Sequence, residues 1–197
     1  MRAGWAPLDL LRAYLDAGAT FIQIRAKRLP SGAFLDLCDA AVAAARPFGA
    51  RLIVNDRIDV ARLTDAAGAH VGQDDLPPAH ARRLLGADAI LGYSTHSVEQ
   101  IEAAVREPVS YIAVGPVFST PSKETGYDAV GLALVRQAAQ RAGDVPIVAI
   151  GGISLDTAAA VLAAGATCVA VIGDLLVTGD PRSRAAAYLR ALGTHRV

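Results

Sequence analysis

The feature that most constrains the fold is a regular alternation of short apolar runs with amphipathic blocks along the whole chain. Seven runs have the length and composition of buried strands: 21–25, 52–55, 69–72, 90–93, 111–115, 146–150 and 168–172. Between them apolar residues recur every three or four positions, as in helices, and several blocks end in glycine, as at Gly18, Gly68 and Gly165. Apolar strands that alternate with helices predict a parallel sheet covered by helices.

Two architectures fit this alternation, an open doubly wound sheet and a closed (β/α)8 TIM barrel. Polar residues follow nearly every predicted strand, namely 23–27, 55–56, 73–75, 94–96 and 119–123. A doubly wound sheet places its site at one switch point, whereas a barrel brings all its strand ends to one rim. The α/β pattern therefore favours a TIM barrel, with residues 1–197 forming a single (β/α) barrel domain.

The predicted barrel lacks one strand. Residues 8–17, which precede the first apolar run, have a helical pattern, with Leu8, Leu11 and Leu15 on one side. Either the sequence starts late or the barrel closes in another way. We expect the first strand to be missing or truncated.

Composition excludes several other classes. The chain carries 19 Lys+Arg against 19 Asp+Glu, and this even balance argues against a nucleic-acid binder. Its hydrophobic fraction of 53% excludes a chain that is mostly disordered. The longest apolar runs last about six residues, whereas a membrane helix needs about 20. The N-terminus has no signal-peptide pattern, so we expect a cytoplasmic protein.

The two cysteines, Cys38 and Cys168, lack metal-ligand spacing and are predicted to be buried thiols. The sequence leaves the oligomeric state open, and a homo-oligomer is one possibility.

The first predicted strand carries a polar face. Strand alternation places Gln23, Arg25 and Lys27 on the same side. Cations that point into a barrel need an anionic partner, so a phosphorylated ligand is the natural complement. The alternative is that Arg25 pairs with a structural carboxylate and Lys27 is solvated.

Two carboxylates follow the next two strands. Asn55 and Asp56 end one strand, and Asp75 comes shortly after the other. Mg²⁺ prefers one or two protein carboxylates together with water and substrate phosphates, so this rim is a candidate metal site. Alternatively, either aspartate acts as a helix N-cap.

Two further regions could hold a second anion. The segment 118–123 offers hydroxyls and Lys123, and the glycine after it suggests a mobile lid; the alternative is an ordinary polar loop. The turns at Gly151-Gly152 and at Gly173 lead from the last two strands into helices, where backbone N–H groups bind phosphate.

Among the histidines, His96 is predicted to hydrogen-bond to a loop, His70 to pack in or near the sheet, and His80 and His195 to lie on the surface.

Taken together, the ordered motifs from 17 to 173 resemble those of thiamine phosphate synthase, a family of (β/α)8 barrels. Gln23-Ile24-Arg25-Ala26-Lys27 is similar to the family's Gln-x-Arg-Glu-Lys, and Asn55-Asp56-Arg57 to its Asn-Asp-Arg. The other similar elements are Gly72-Gln73-Asp74-Asp75, Ser94-Thr95-His96, Gly115-Pro116-Val117-Phe118, Thr120-Pro121-Ser122-Lys123 and Gly151-Gly152-Ile153.

The resemblance implies a transferase that joins an aminopyrimidine methyl diphosphate to a thiazole phosphate and releases pyrophosphate. The residues implied to hold the pyrimidine diphosphate are Gln23, Arg25, Lys27, Asn55, Ser94 and Lys123, of which Arg25, Lys27, Ser94 and Lys123 would be catalytic. Asp56 and Asp75 would hold Mg²⁺. The residues implied to hold the thiazole phosphate are Thr120, Ser122, Gly152, Ile172 and Gly173.

The chain departs from the family pattern at three positions. Ala26 replaces a glutamate, Ser122 stands where threonine is more usual, and Gly173 replaces a serine, so backbone N–H groups alone remain there for the thiazole phosphate. Two other functions compete with the synthase: a thiazole tautomerase of the related barrel group and a noncatalytic barrel that senses a phosphorylated ligand.

Overall fold

The computed structural model describes residues 4–119 and 127–193. The helices are α1 (Pro7–Asp16), α2 (Ser31–Ala45), α3 (Ile58–Leu63), α4 (Pro78–Leu85), α5 (Val98–Ala104), α6 (Gly131–Arg141), α7 (Leu155–Ala163) and α8 (Pro181–Leu192). The strands are β1 (Phe21–Ile24), β2 (Arg51–Asn55), β3 (Gly68–Val71), β4 (Ile90–Thr95), β5 (Tyr111–Val114), β6 (Ile147–Ile150) and β7 (Cys168–Ala170). Short 3₁₀ turns span Arg46–Phe48 and Asp174–Leu176.

All seven predicted strands are present and form one parallel sheet in the order β1 to β7. Each strand pairs with the next one in the sequence, from Phe21 beside Arg51 on the first pair to Val148 beside Cys168 on the last. A doubly wound sheet reverses its strand order at a switch point, and this sheet does not. The prediction of a parallel α/β sheet is therefore confirmed, and the doubly wound alternative is wrong.

The sheet is strongly curled. The ring of Phe21 on β1 lies with its centroid 5.8 Å from that of Tyr111 on β5. In a flat sheet strands four apart would be separated by about 19 Å, since neighbours are about 4.8 Å apart. Outside the sheet, α1 packs against both α2 and α8. Seven parallel strands curled in this way are consistent with a TIM-like barrel.

The chain ahead of β1 forms α1, as its helical pattern predicts. Trp5 lies in an isolated β-bridge just before that helix. The N-cap position of α1 is Ala6, and Pro7 occupies the first helical turn, where a missing N–H costs nothing.

The core lies between the sheet and the surrounding helices. Ile53, Leu91, Ile112 and Val114 are fully buried on their strands. Cys38 is buried on α2, as predicted, whereas Cys168 on β7 is only half-buried. Among residues 4–119 and 127–193 no helix combines the length and apolarity needed to span a membrane.

Candidate active site

The ends of β1, β2 and β3 bring three predicted site residues together. Lys27 Nζ lies 2.8 Å from Asp56 Oδ2, and the Asp56 carboxyl group interacts in turn with that of Asp75. The alternative that these aspartates cap helices is wrong, because the N-cap positions of α3 and α4 are Arg57 and Pro77. Lys27 is paired with a carboxylate of the predicted metal site and is not simply solvated.

Asp56 has an unusual backbone conformation. Its φ of 63° lies in the left-handed region, which residues other than glycine seldom adopt. Its backbone N–H donates to the His70 carbonyl oxygen at 2.8 Å, so the bend is tied to the neighbouring strand. Such strain is concentrated at functional sites, and here it accompanies the carboxylate that contacts Lys27.

The environment of Asp75 favours a nearby cation. Burial raises the pKa of this carboxyl group, and the adjacent Asp56 carboxylate raises it further. The Gly72 backbone N–H, which donates to Asp75 Oδ2 at 2.7 Å, and the charge of Lys27 act in the opposite direction. A close pair of carboxylates is a suitable donor set for a hard divalent ion completed by water and phosphate oxygens. The part of the chain that the structure describes holds no cluster of three or more metal-ligating side chains.

A polar network lies on the inner face of the sheet below this rim. His70 Nδ1 is 2.9 Å from the Tyr111 hydroxyl, and His70 Nε2 is 2.8 Å from Ser94 Oγ. The Gln23 side chain also donates to the Tyr111 hydroxyl. Burial raises the pKa of Tyr111, so this phenol stays protonated and can donate. The network places predicted residues Gln23 and Ser94 on one inner surface, and the buried Asn55 ends β2 nearby.

His70 and Tyr111 are members of this surface that the sequence analysis did not assign to the site. His70 was expected only to pack in or near the sheet, and it is buried there as predicted. Strand alternation could have pointed to both residues. It places His70 on the same face of its strand as Gly72, and Tyr111 on the same face as Gly115, and both glycines belong to the motifs named above. What alternation could not show is that β1, β3 and β5 face one another across the interior.

The other predicted histidines also occupy the expected places where the structure describes them. His96 donates through Nδ1 to the Gly115 carbonyl oxygen and stacks on Tyr127 with ring centroids 3.7 Å apart. His80 is exposed. His195 lies outside the described residues.

A second group of predicted residues follows β6 and β7. Gly151 and Gly152 have φ values of 103° and 63°, and a Cβ atom on Gly152 would lie 2.6 Å from the Ser119 carbonyl oxygen. This turn therefore requires glycine and packs closely against the segment after β5. Ile172 and the exposed Gly173 follow β7, next to the same turn along the sheet.

Part of the predicted site falls on residues that the structure does not describe. Thr120, Ser122 and Lys123, and with them most of the predicted lid, lie outside the described residues. Arg25 is exposed just after β1, and strand alternation places it on the same face as Gln23, which is also exposed.

This curled parallel sheet, with its polar groups at the carboxyl ends of the strands, defines a TIM-like barrel protein with the site at the usual end of that fold. Residues 4–175 match the family described as thiamine monophosphate synthase. The chain is 44% identical over 176 residues to the thiamine-phosphate synthase of Roseiflexus castenholzii, covering 89% of this chain and 77% of that protein. The chain belongs to the thiamine monophosphate synthase family.

Other relatives agree. The thiamine-phosphate synthase of Acidothermus cellulolyticus is 46% identical over 183 residues, covering 92% of this chain and 86% of that protein. A bifunctional ThiM/ThiE protein of Symbiobacterium thermophilum is 45% identical over 187 residues, which are 95% of this chain but 39% of that longer protein.

Among solved structures, thiamine phosphate pyrophosphorylase from Pyrococcus furiosus superposes with a TM-score of 0.88 at 30% identity, covering 98% of this chain and 94% of that one. The sequence-based prediction of an enzyme with thiamine phosphate synthase function is thus confirmed. The tautomerase and sensor alternatives are not favoured.

Proposed function

We propose that this chain couples 4-amino-2-methyl-5-(diphosphooxymethyl)pyrimidine to a thiazole or carboxythiazole ethyl phosphate, releasing pyrophosphate and forming the corresponding thiamine phosphate. The observation that carries this proposal is the meeting of Lys27, Asp56 and Asp75 at three consecutive strand ends, above a polar inner surface. The first group suits a diphosphate with its metal, and the second suits a flat heterocycle with hydrogen-bonding edges.

The proposed diphosphate site is a charge clamp. Arg25, Lys27 and Lys123 supply positive charge, and Ser94 supplies a hydroxyl. The close carboxylates of Asp56 and Asp75 fit Mg²⁺, because their like charges and the raised pKa of Asp75 are relieved by a cation. Bound Mg²⁺ would neutralise charge on the diphosphate oxygens, which makes pyrophosphate a better leaving group.

The reaction then follows a dissociative course. The bond between the pyrimidine methylene carbon and the diphosphate oxygen breaks, and its electron pair leaves with pyrophosphate. The electron-rich aminopyrimidine carries the resulting positive charge until the thiazole ring nitrogen donates its lone pair to the methylene carbon. That nitrogen has no proton to lose, so the site needs electrostatic stabilisation rather than a general base.

The inner surface has a defined part in this scheme. Gln23 and Asn55 bind the pyrimidine, and the hydrogen bonds that join the Tyr111 hydroxyl to Gln23 and to His70 keep that surface in one arrangement. Ser94 Oγ, 2.8 Å from His70 Nε2, is held in a single position next to the proposed diphosphate site.

The thiazole phosphate is proposed to bind beside the last two strands. Gly152, Ile172 and Gly173 would present backbone N–H groups, with Thr120 and Ser122 adding hydroxyls. The support for this assignment is the glycine-only conformation of the β6 turn and its position next to the β7 turn.

We also propose that residues 1–197 form one barrel domain whose partners are these small molecules. The isolated bridge at Trp5 precedes α1 in the sequence, as the first strand of an eight-stranded (β/α) barrel would, and on that ground we propose that this strand is truncated.

The decisive experiment incubates the protein with both substrates and Mg²⁺ and follows thiamine phosphate and pyrophosphate together. We expect the two products in equal amounts and none when either substrate is omitted. Conversion of the thiazole phosphate alone into a tautomer would favour the tautomerase. Tight ligand binding with no product would favour the sensor and overturn the proposed function.

Removal of the metal gives a separate prediction. Treatment with EDTA should lower the rate of thiamine phosphate formation by about 100-fold or more, because the diphosphate charge is then left to the side-chain cations alone. Adding excess Mg²⁺ should restore it. Full activity in EDTA, with metal analysis showing no bound divalent ion, would contradict the roles proposed for Asp56 and Asp75.

A further inference from the structure

Behind the β7 turn lies a polar cluster that the proposed mechanism does not use. The single oxygen Asp174 Oδ2 accepts hydrogen bonds from Arg184 Nη2 at 2.8 Å, Arg184 Nε at 3.0 Å, the Tyr188 hydroxyl at 2.6 Å and the Leu155 backbone N–H at 3.2 Å. Only 14% of the Asp174 side chain and 20% of the Arg184 side chain are exposed. Solvent screens this pair much less than an exposed one, so it holds its geometry more firmly than a surface ion pair does.

The cluster joins three elements at one end of the sheet. Asp174 directly follows Gly173, and Leu155 is the first residue of α7, shortly after the Gly152 turn. Arg184 and Tyr188 are four residues apart on α8 and therefore project from the same face of that helix. The bond from Leu155 to Asp174 thus links the two turns that are proposed to surround the thiazole phosphate.

The negative charge of the Asp174 carboxylate also affects the proposed phosphate subsite. A carboxylate one residue from a phosphate subsite would repel the phosphate if it stood alone. Arg184 neutralises it, and burial together with the Asp174 carboxylate raises the pKa of Tyr188, so the phenol remains a donor. Tyr188 itself is buried, with 6% of its surface exposed.

Because residue 173 is a glycine, phosphate binding at this turn depends on the position of the backbone. A glycine has no hydroxyl to offer a phosphate, so that position can contribute only its N–H. A displacement of the β7 turn relative to the β6 turn would therefore weaken this subsite directly, with no side chain to compensate.

We propose that Asp174, held by Arg184 and Tyr188, is a positioning residue. It keeps the Gly152 and Gly173 turns in the relative position that binding of the thiazole phosphate requires. The inference rests on the proposed function, because it concerns the thiazole phosphate subsite of that reaction. Asp174 acts through the backbone and touches no reacting atom.

The test compares ligand affinities in the full chain by calorimetry, with thiazole ethyl phosphate and the pyrimidine diphosphate measured separately. Asp174→Asn keeps the size of the side chain but removes the charge that pairs with Arg184. We expect the Kd for thiazole ethyl phosphate to rise about tenfold, as when other supporting contacts of a site are removed, and the Kd for the pyrimidine diphosphate to change less than about twofold. In steady-state kinetics the same variant should raise KM for the thiazole phosphate selectively.

Two further variants separate positioning from general stability. Tyr188→Phe removes a single hydrogen bond to Asp174 and tests the inference if Asp174→Asn fails to fold; we expect its Kd for thiazole ethyl phosphate to rise about threefold. Glu102→Gln is the matched control, since it removes a carboxylate that pairs with Arg141 Nε at 3.1 Å between α5 and α6. It should leave both affinities unchanged.

The outcomes distinguish the inference from the proposed function. If the wild type forms thiamine phosphate but both cluster variants keep its Kd for thiazole ethyl phosphate, or weaken both ligands equally, the inference is wrong and the function stands. If the wild type forms no product but Asp174→Asn still selectively weakens thiazole ethyl phosphate, the function is wrong and the inference stands. A wild type that does not bind thiazole ethyl phosphate overturns both.

Discussion

Replacing Asp75 with asparagine should lower kcat for thiamine phosphate formation by about 100- to 1,000-fold while the protein stays folded, an effect of the size seen when one electrostatic stabiliser is removed. Asp75 and Asp56 form the close carboxylate pair proposed to hold Mg²⁺, and the amide would supply neither the charge nor the second anionic ligand. The measurement is steady-state formation of thiamine phosphate at saturating substrates over a range of Mg²⁺ concentrations.

The neighbouring residue provides a matched control. Asp74 is exposed on the same turn, so Asp74→Asn makes the same change of charge one position away and should keep kcat within about twofold of the wild type. Equal losses in the two variants would show that the charge of the loop matters and not the proposed metal ligand.

Asp75→Asn should also stabilise the metal-free protein at neutral pH. Because the pKa of Asp75 is raised by folding, its protonated form is favoured in the folded state, and stability falls as pH rises through that pKa. The neutral amide avoids this loss, so at pH 7 we expect Tm to rise by about 1–3 °C, whereas below the unfolded pKa of about 3.9 the gain should vanish. Thermal melts in EDTA at several pH values measure this, and a lower Tm at pH 7 would contradict it.

Gly92→Ala should destabilise the protein by about 1–3 kcal/mol and abolish most pyrimidine binding, because the added methyl group overfills the inner surface. A Cβ atom there would lie 2.1 Å from Tyr111 Cζ and 2.4 Å from His70 Nδ1. Both side chains must move, which breaks the contacts that join β3 to β5. Denaturant unfolding and calorimetry with the pyrimidine diphosphate measure the two effects.

Gly32 serves as the control for this substitution. It lies in α2 with nothing within 4 Å of an added Cβ atom, so Gly32→Ala should raise the stability slightly through helix propensity. If Gly92→Ala were as stable as the wild type and bound the pyrimidine diphosphate normally, the tight contact between Gly92, His70 and Tyr111 would not be part of the site.

Much of the fold could be predicted because it depends on local patterns. Each of the seven strands was recognisable as a short apolar run, and helix-ending glycines marked the intervals between several of them. The proximity of three side chains could also be predicted, because parallel strands of a barrel put their carboxyl ends at one rim. These side chains are Lys27, Asp56 and Asp75.

Contacts across the interior could not be predicted in the same way. Nothing in the spacing of His70 and Tyr111, 41 residues apart, indicates that they share a hydrogen bond. The four donors around Asp174 Oδ2 come from α7 and α8 and are equally invisible to periodicity.

The sequence by itself determined the alternation of strands and helices, the rim on which the polar residues lie, and the family to which the motifs belong. These properties depend on side-chain period and on which residues follow each strand, both of which are local along the chain. Only the tertiary structure decided how far the sheet curls, and therefore that Phe21 on β1 reaches Tyr111 on β5. The physical reason is that curvature accumulates from strand to strand through packing, so it belongs to the whole sheet and to no single segment.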